Sequence, residues 1–319
     1  MTMSRTLRRL LVLTALMLAG PAGAQPGATA ALVTEIKLRG GTAEMRAAGG
    51  TWRAATPLQA LRAGDEVRAT EGASIVVLLS GGRGTAQVDA KSSPFVVAAP
   101  AGDATRLQKA GVLVGDSIKF LAAGPKESPK AVLATRATAR PPEILTPRDG
   151  AVLPGPFVVE WLGSQFSRYT VRITGPSDVV VERKGVAGAR FAYPADAPAL
   201  RPGVRYQVQV EALNQKPQRS TFEVLDPARA ATVEADLREL EAALGPGASP
   251  SSAAVARAGY LAEHGLLHDA RLTVLSALGR DPDEPVLHTL LGTLYLQTGL
   301  RQLAAESFDE AQFLLTRRP

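Results

Sequence analysis

Two adjacent stretches of the chain carry one pattern twice: SSAAVARAGYLAEHGLLHDARLTVLSALGRDPDE at 251–284 and PVLHTLLGTLYLQTGLRQLAAESFDEAQFLLTRR at 285–318. The residues that recur 34 positions apart are Ala258 and Gly292, Leu261 and Tyr295, Gly265 and Gly299, Ala270 and Ala304, Val274 and Phe308, and Ala277 and Ala311. Small residues are needed where the two helices of a hairpin approach closely, and the bulky pairs fill the remaining space. The period therefore predicts two helical hairpins.

This pattern resembles the tetratricopeptide (TPR) repeat, and Pro282 lies where that family places its helix-ending proline. Ala254 and His288 stand where the family usually has tryptophan. The resemblance implies an all-α, TPR-like helical domain over 228–319, in which 228–244 forms an additional amphipathic helix. Two repeats are fewer than the three that usually make a stable stack, so that helix or a homodimer would supply the missing surface. An unrelated stack of four helices is the alternative.

The TPR resemblance also implies a concave face to which a partner would bind. The residues expected on that face are Val255, Gly259, Ala262, Glu263, Thr289, Thr293, Leu296 and Gln297. They include no Lys, Arg or Asn, so the carboxylate clamp of some TPR domains is not expected. An apolar or extended peptide suits the face better. The alternative is that these residues only pack or contact solvent.

Upstream of the repeats the chain alternates in the manner of β-strands, most clearly at LRPGVRYQVQVEA (200–212). This run resembles the L-x-P-G-x-x-Y-x-V-x-V-x-A signature of fibronectin type III domains. In that family the tyrosine, here Tyr206, bonds to upstream backbone in a tyrosine corner. The resemblance implies a β-sandwich over 141–225 with Trp161 in its core, and a ligand platform is the alternative role for this tryptophan.

The first part of the chain also alternates, in short runs separated by glycine-containing turns. The strands predicted from these runs are 31–38, 43–46, 66–69, 74–79, 85–88 and 95–98. GTAEMR at 41–46, Trp52, and LRAGDEVRA at 61–69 resemble, in this order, the periplasmic FecR domain. The resemblance implies a FecR-like β domain over 28–122, near whose end GVLVGDSI at 111–118 repeats the Gly-Asp cadence.

The first 24 residues have the three parts of a secretory signal: Arg5, Arg8 and Arg9, a short apolar run, and small residues up to Ala24. The apolar run is too short to span a bilayer. We therefore expect cleavage after Ala24 and a periplasmic or secreted bacterial protein that does not span the membrane. Export removes the chain from nucleic acid, so that class of partner is excluded.

The formal net charge of +6 is unevenly distributed. Residues 25–140 carry +6, whereas 228–319 carry −4. The basic end suits anionic envelope surfaces. Within it, 123–140 is rich in proline and in basic residues, which indicates a linker.

No residue is proposed as catalytic, cofactor-binding or metal-binding. The chain has no cysteine, which excludes disulfides and thiolate chemistry. His264 and His268 are spaced four apart, but Gly265 between them indicates a turn that would separate the two rings. Gly81–Gly84 lacks the residues of a phosphate loop and predicts a hairpin turn. Asp65 is expected to accept local backbone N–H bonds in a turn rather than to act on a substrate.

These observations predict a multidomain protein with two all-β domains followed by an all-α helical-repeat domain. We expect a non-enzymatic envelope scaffold or sensor-like module whose TPR end recruits another envelope protein. The alternative is a peptidoglycan- or carbohydrate-binding protein that uses the FecR-like domain. A signalling component of a FecR-type regulatory system is less favoured, because the sequence shows a cleavable signal and no cytoplasmic segment.

Overall fold

The computed structural model describes residues 28–99, 107–124 and 141–317. The strands of these residues are β1 (Ala31–Leu38), β2 (Ala43–Arg46), β3 (Arg53–Ala54), β4 (Ala60–Leu61), β5 (Glu66–Ala69), β6 (Ala73–Leu79), β7 (Thr85–Val88), β8 (Phe95–Val96), β9 (Glu143–Thr146), β10 (Gly150–Val152), β11 (Val158–Leu162), β12 (Arg168–Thr174), β13 (Val179–Ala187), β14 (Arg190–Ala192), β15 (Arg205–Ala212) and β16 (Gln218–Val224). The helices are α1 (Leu107–Ala122), α2 (Pro227–Leu244), α3 (Pro250–Glu263), α4 (Leu267–Leu278), α5 (Pro285–Gln297) and α6 (Arg301–Thr316). The signal peptide expected at 1–24 and most of the linker expected at 123–140 lie outside the described residues.

The N-terminal strands form two four-stranded sheets whose burial patterns differ. In the sheet of order β3-β2-β5-β8, strands β2 and β5 alternate between buried and partly exposed residues, because only one face packs on the core. In the sheet of order β4-β1-β6-β7, the runs Ala31–Thr34 and Ile75–Leu78 are buried without interruption. This second sheet is therefore covered on both faces, by the other sheet and by the helices.

The stretch at 111–118 that resembles part of a FecR domain is helical. Ala110, Leu113, Val114, Ile118 and Leu121 are buried, and their spacing of three and four residues places them on one face of α1. This face packs against α3 and α2. The N-terminal part of the protein is consequently not an all-β domain.

One hydrophobic core joins the two N-terminal sheets to the helices. It runs from Leu32 on β1 through Val114 on α1 and Leu240 on α2 to Val255 on α3 and Leu290 on α5. The expected fold class, two all-β domains followed by a separate all-α domain, is therefore wrong. The N-terminal strands and the C-terminal helices form a mixed α/β unit, because each supplies apolar surface that the other buries.

Along the chain, residues 141–225 lie between the N-terminal strands and the C-terminal helices of that unit, and they form a β-sandwich with a hydrophobic core of its own. Its sheets have the orders β10-β16-β15-β12-β13 and β14-β11-β9. Trp161 is 1% exposed and its ring meets Tyr169 edge-on, so this tryptophan is a core residue and not a ligand platform. The backbone N–H of Arg201 donates to Tyr206 Oη at 2.7 Å, the bond that the fibronectin resemblance implied.

The repeated stretches form two helical hairpins, α3 with α4 and α5 with α6. Gly265 and Gly299 occupy the two turns with φ of +75° and +76°. Glycine adopts this left-handed conformation without steric cost, so backbone geometry explains its recurrence better than close helix approach does. Gly292 is different, because a Cβ there would lie only 2.7 Å from the Phe308 ring. The close approach of α5 to α6 therefore requires glycine at this position.

Polar contacts fasten the sandwich to the helices. The backbone N–H of Ala151 donates to the carbonyl of Gly265 at 3.2 Å. Arg271 on α4, 8% exposed, places Nη1 2.8 Å from Glu160 Oε2 on β11. Within the described part of the chain, no helix is long and apolar enough to cross a membrane.

Candidate functional site

Half of the residues expected on the concave face of the repeats are buried inside the protein. Val255 is 0% exposed, Ala262 6% and Thr293 3%, and Gly259 is also buried. Of the other four, Glu263, Thr289 and Leu296 are partly buried and Gln297 is exposed. The α3 half of the expected binding face is therefore filled in the folded chain.

The segment that fills it is α1. A Cβ on Gly259 would lie 2.8 Å from Leu121 Cδ1 and 3.0 Å from the carbonyl oxygen of Ser117, so α1 lies directly against the α3 backbone. At the end of this contact, the ammonium of Lys119 forms an ion pair with Glu263. On the α3 half of the expected binding face, α1 of the same chain therefore lies where the sequence analysis expected a partner.

On the α5 half of the face, Thr289 and Thr293 line an open cleft of about 380 Å³, here called the α5–α6 cleft, whereas Leu296 and Gln297 are not among its lining residues. Its walls are contributed by α5, α6, the C-terminal end of α1 and the turn at 56–59. The lining residues are Thr56, Pro57, Leu58, Gln59, Leu121, Ala122, Gly124, Thr289, Thr293, Phe308, Ala311, Gln312 and Leu315. None of these side chains carries a charge, so the cleft suits an uncharged ligand.

The turn on one side of the cleft is held in an unusual conformation. Leu58 has a φ of +55°, a left-handed value that costs a non-glycine residue roughly 1–3 kcal/mol. The turn is held by its own hydrogen bonds, since Thr56 donates to Gln59 Oε1 through both N–H and Oγ1 at 3.1 Å. Backbone strain of this kind is concentrated at binding and catalytic sites. Asp149, with a φ of +46°, lines another surface depression, but aspartate adopts this conformation more readily than leucine does.

A second candidate surface lies on the outer face of the β3-β2-β5-β8 sheet. Trp52, partly buried, has the guanidinium carbon of Arg68 4.1 Å from its ring centroid and that of Arg46 4.6 Å away. Each arginine also pairs across the strands at 2.8 Å, Arg68 with Glu44 and Arg46 with Glu66. We call these five residues the Trp52 face.

An ionic cluster centred on the buried Glu284 joins β1 to the start of α5. Glu284 Oε1 accepts from the N–H of Ile36 at 3.0 Å and from the N–H of Val286 at 3.2 Å. Lys37 Nζ lies 3.0 Å from Glu284 Oε2 and also pairs with Asp281. Burial raises the pKa of Glu284 to about 7, against the opposing effect of Lys37. The cluster bridges the two halves of the mixed unit through these contacts, which is a structural role.

His264 and His268, whose spacing of four residues raised the question of a shared metal ion, contact different parts of the protein. The imidazole of His264 lies over Tyr260, with ring centroids 4.2 Å apart, whereas His268 Nδ1 bonds to Thr146 Oγ1 of the sandwich. Burial lowers the pKa of His268 to about 4. In the residues that the structure describes, no group of three or more His, Asp or Glu side chains could hold a metal ion.

Other expectations about individual turns are confirmed. Asp65 Oδ2 accepts from the N–H of Arg62 at 2.8 Å, a local turn contact. Gly81, Gly82 and Gly84 all have positive φ and connect β6 to β7 as a hairpin turn.

Sequence reasoning missed α1 and the turn at 56–59, which together wall the cleft. The signal for α1 was present in the spacing of Leu113, Val114, Ile118 and Leu121. Its glycines and its Gly-Asp cadence favoured a β interpretation instead. The left-handed conformation of Leu58 has no sequence signal, since leucine rarely adopts it.

Comparisons with known proteins add no family to this description. No family model matches the chain, and no curated protein matches it. Among solved structures, the crystal structure of a beta-1,2-glucanase from Parabacteroides distasonis matches with 9% sequence identity and a TM-score of 0.23. The match covers 90% of this chain and 49% of that chain, so this chain spans about half of its length. A similarity at this TM-score carries no argument about fold or function.

Proposed function

We propose that the protein is a non-enzymatic, exported envelope scaffold that binds an extended, uncharged segment of another envelope protein in the α5–α6 cleft. The observation that carries the proposal is the open half of the concave face. Its α3 half is occupied by α1 of the same chain, whereas Thr289 and Thr293 still line a cleft of about 380 Å³. The resemblance of the repeats to TPR domains, which are protein-binding modules, supports the same use.

The lining explains the choice of ligand. An isolated charge in an uncharged cleft would lose hydration without a partner, so charged segments are disfavoured. The apolar surfaces of Phe308 and Leu315 favour small apolar side chains, and the side-chain N–H of Gln59 and the amide of Gln312 offer hydrogen bonds to a peptide backbone.

The cleft is tested with two matched substitutions at exposed helix positions. Gln312→Arg places a charge in the cleft, and Ser276→Arg places the same charge on α4, outside it. Peptides selected on the purified protein from a random displayed library should be uncharged and apolar. Their affinity should fall about tenfold or more in Gln312→Arg and stay unchanged in Ser276→Arg. Selection of charged peptides, or equal affinity in both variants, would contradict the proposal.

A second experiment identifies the natural partner. Because the chain has no cysteine, Gln312→Cys and Ser276→Cys each carry one photocrosslinker at a known position. Irradiation in a bacterial envelope extract should give a protein adduct from position 312 that position 276 does not give. The same adducts at both positions would show that crosslinking is unspecific.

Export rests on the sequence alone and is tested separately. N-terminal sequencing of the protein recovered from the periplasmic or extracellular fraction should begin at Gln25. A chain that begins at Met1, or that is recovered from the cytoplasm, would contradict it.

The second candidate function is binding of peptidoglycan or another anionic envelope glycan through the Trp52 face. An aromatic ring flanked by arginines and carboxylates offers the stacking and hydrogen bonding that sugars use, and the surrounding 25–140 region carries a net +6. The pairing of both arginines with Glu44 and Glu66 favours the alternative, a face that is satisfied within the protein.

Co-sedimentation of the full chain with purified cell-wall sacculi distinguishes these two uses of the face. Glycan binding requires the wild type to sediment with sacculi and Trp52→Ala to remain in the supernatant. The control is Val112→Ala, which shortens another exposed apolar residue, 60% exposed on α1. No sedimentation of the wild type would rule out the glycan function while leaving the cleft proposal standing.

A further inference from the structure

Two large apolar side chains of the sandwich stand almost fully in solvent. Phe166 and Leu213 are each 87% exposed, more than any other large hydrophobic residue described. Single exposed apolar residues are ordinary, but a cluster of them indicates an interaction surface.

Strand pairing places these two side chains at the same end of the sandwich. β12 begins beside the loop that holds Phe166, β15 ends just before Leu213, and the two strands pair with Tyr169 opposite Ala212. Leu162, 40% exposed, ends β11 at the other side of the first loop. We call the loops 163–167 and 213–217 the sandwich tip.

Both loops are held in defined conformations that keep the apolar side chains outward. In the first, Tyr169 Oη donates to the carbonyl of Ser164 at 2.9 Å, and a Cβ on Gly163 would collide with the same hydroxyl. In the second, Asn214 has a φ of +60° and the N–H of Gln215 donates to the carbonyl of Ala212 at 3.1 Å. The conformations of these two tight turns therefore keep Phe166 and Leu213 exposed.

Cationic side chains flank the tip. Arg168 lies at the start of β12 and Lys216 lies in the second loop, and both are exposed. Within the described part of the chain, neither forms an ion pair. Strand pairing brings two carboxylates to this end of the sandwich. Glu143, opposite Leu162, lies 4.0 Å from Arg148, and Glu211, opposite Thr170, accepts from Gln209 Nε2 at 2.9 Å.

We propose that the sandwich tip is a peripheral contact with an anionic phospholipid surface. Phe166 and Leu213 enter the boundary between headgroups and acyl chains, and Arg168 and Lys216 meet the lipid phosphates. Phe166 and Leu213 are almost fully exposed, so a protein partner would need a pocket to receive them, whereas a bilayer accepts any protruding apolar group. The unpaired cations complement an anionic lipid surface and give a zwitterionic one no such advantage.

This contact is independent of the α5–α6 cleft and goes beyond the proposed function. Two side chains and two cations give weak, reversible binding, because stable anchoring requires a larger apolar group or a second signal. The tip would therefore orient the protein on a membrane surface and leave it free to dissociate.

The test uses the full chain and two kinds of vesicle, phosphatidylcholine alone and phosphatidylcholine mixed with phosphatidylglycerol. The wild type should sediment with the mixed vesicles only, and salt should weaken the binding. The double variant Phe166→Ser, Leu213→Ser should lose about tenfold or more of its partition coefficient. Arg168→Gln combined with Lys216→Gln should lose about tenfold as well.

The matched control is Val179→Ser, which removes an apolar side chain that is 49% exposed at the opposite end of the same sheet. It should bind as the wild type does. A single dye on Phe166→Cys should shift its emission to the blue on the mixed vesicles, whereas the dye on Val179→Cys should not.

Three results would overturn the proposal. The first is that the wild type does not bind the mixed vesicles. The second is that the Val179→Ser control loses as much vesicle binding as the double variants do. The third is that both double variants bind the mixed vesicles as the wild type does. A protein captured by wild-type tip but not by the Phe166→Ser, Leu213→Ser variant, without any vesicle binding, would reassign the tip to a protein partner.

Discussion

The contact between α1 and α3 can be tested with two glycines that differ only in what surrounds them. Gly259 lies in α3 with Leu121 Cδ1 2.8 Å and the Ser117 carbonyl 3.0 Å from the position of an added Cβ. Gly115 lies inside α1, where an added Cβ would meet nothing within 4 Å. The two substitutions, Gly259→Ala and Gly115→Ala, add the same methyl group to the interior of a helix.

The expected free energies follow from these distances. Replacing glycine by alanine inside a helix stabilises it by about 1 kcal/mol, and both variants gain this amount. At Gly259 the methyl group also forces α1 away from α3, and such overpacking costs about 1–3 kcal/mol. Gly115→Ala should therefore raise the free energy of unfolding by about 1 kcal/mol, and Gly259→Ala should lie about 1–3 kcal/mol below it.

Urea denaturation followed by helical circular dichroism measures both values on the purified protein. The difference between the two variants is the informative quantity, because the helix propensity gain cancels in it. If Gly259→Ala stabilised the protein as much as Gly115→Ala does, α1 would not pack on α3. The occupation of the α3 half of the expected binding face by α1 would then be refuted.

Three further predictions concern the same architecture. The two tryptophans lie in different units, so in a Trp161→Phe background the urea transitions of Trp52 fluorescence and helical circular dichroism should coincide, and separate transitions would indicate independent modules. Burial raises the pKa of Glu284 to about 7 from 4.5, so the folded state holds the proton more tightly and the stabilisation present below pH 4.5 is lost as the pH rises to 7. The free energy of unfolding of the wild type minus that of Glu284→Gln should fall by about 3 kcal/mol over this range, and a constant difference would contradict the burial of the carboxyl group. Glu160→Ala leaves the buried Arg271 without its partner and should lower the free energy of unfolding by about 3 kcal/mol. Glu182→Ala breaks a more exposed pair with Arg172 and should lower it by less than about 1 kcal/mol. Equal losses in urea denaturation would show that the contact between Arg271 and the sandwich is not buried.

Local features of the fold could be predicted from the sequence where one residue and its near neighbours decide the structure. The strands predicted at 31–38, 43–46, 66–69 and 85–88 are present with those bounds. The bond at Tyr206 and the burial of Trp161 are likewise confirmed.

The sequence predicted the helix that lines the candidate site but not which part of its surface stays open. The repeat spacing placed Thr289 and Thr293 on one face of α5, because helical geometry depends on local sequence. Whether that face stays open depends on the position of α1, which is distant in sequence. The same reasoning assigned Val255 and Gly259 to a binding surface, and both are covered.

The sequence by itself determined several strands, the helical hairpins and the glycine turns, since alternation, helical spacing and glycine conformations are local properties. Alternation was expected at 74–79, but Ile75–Leu78 is buried without interruption, because both faces of its sheet are covered. Only the tertiary structure decided what covers that second face. The apolar face of a sheet can be buried equally well by any apolar helix, so the pairing of the N-terminal sheets with the C-terminal helices is a property of the folded chain.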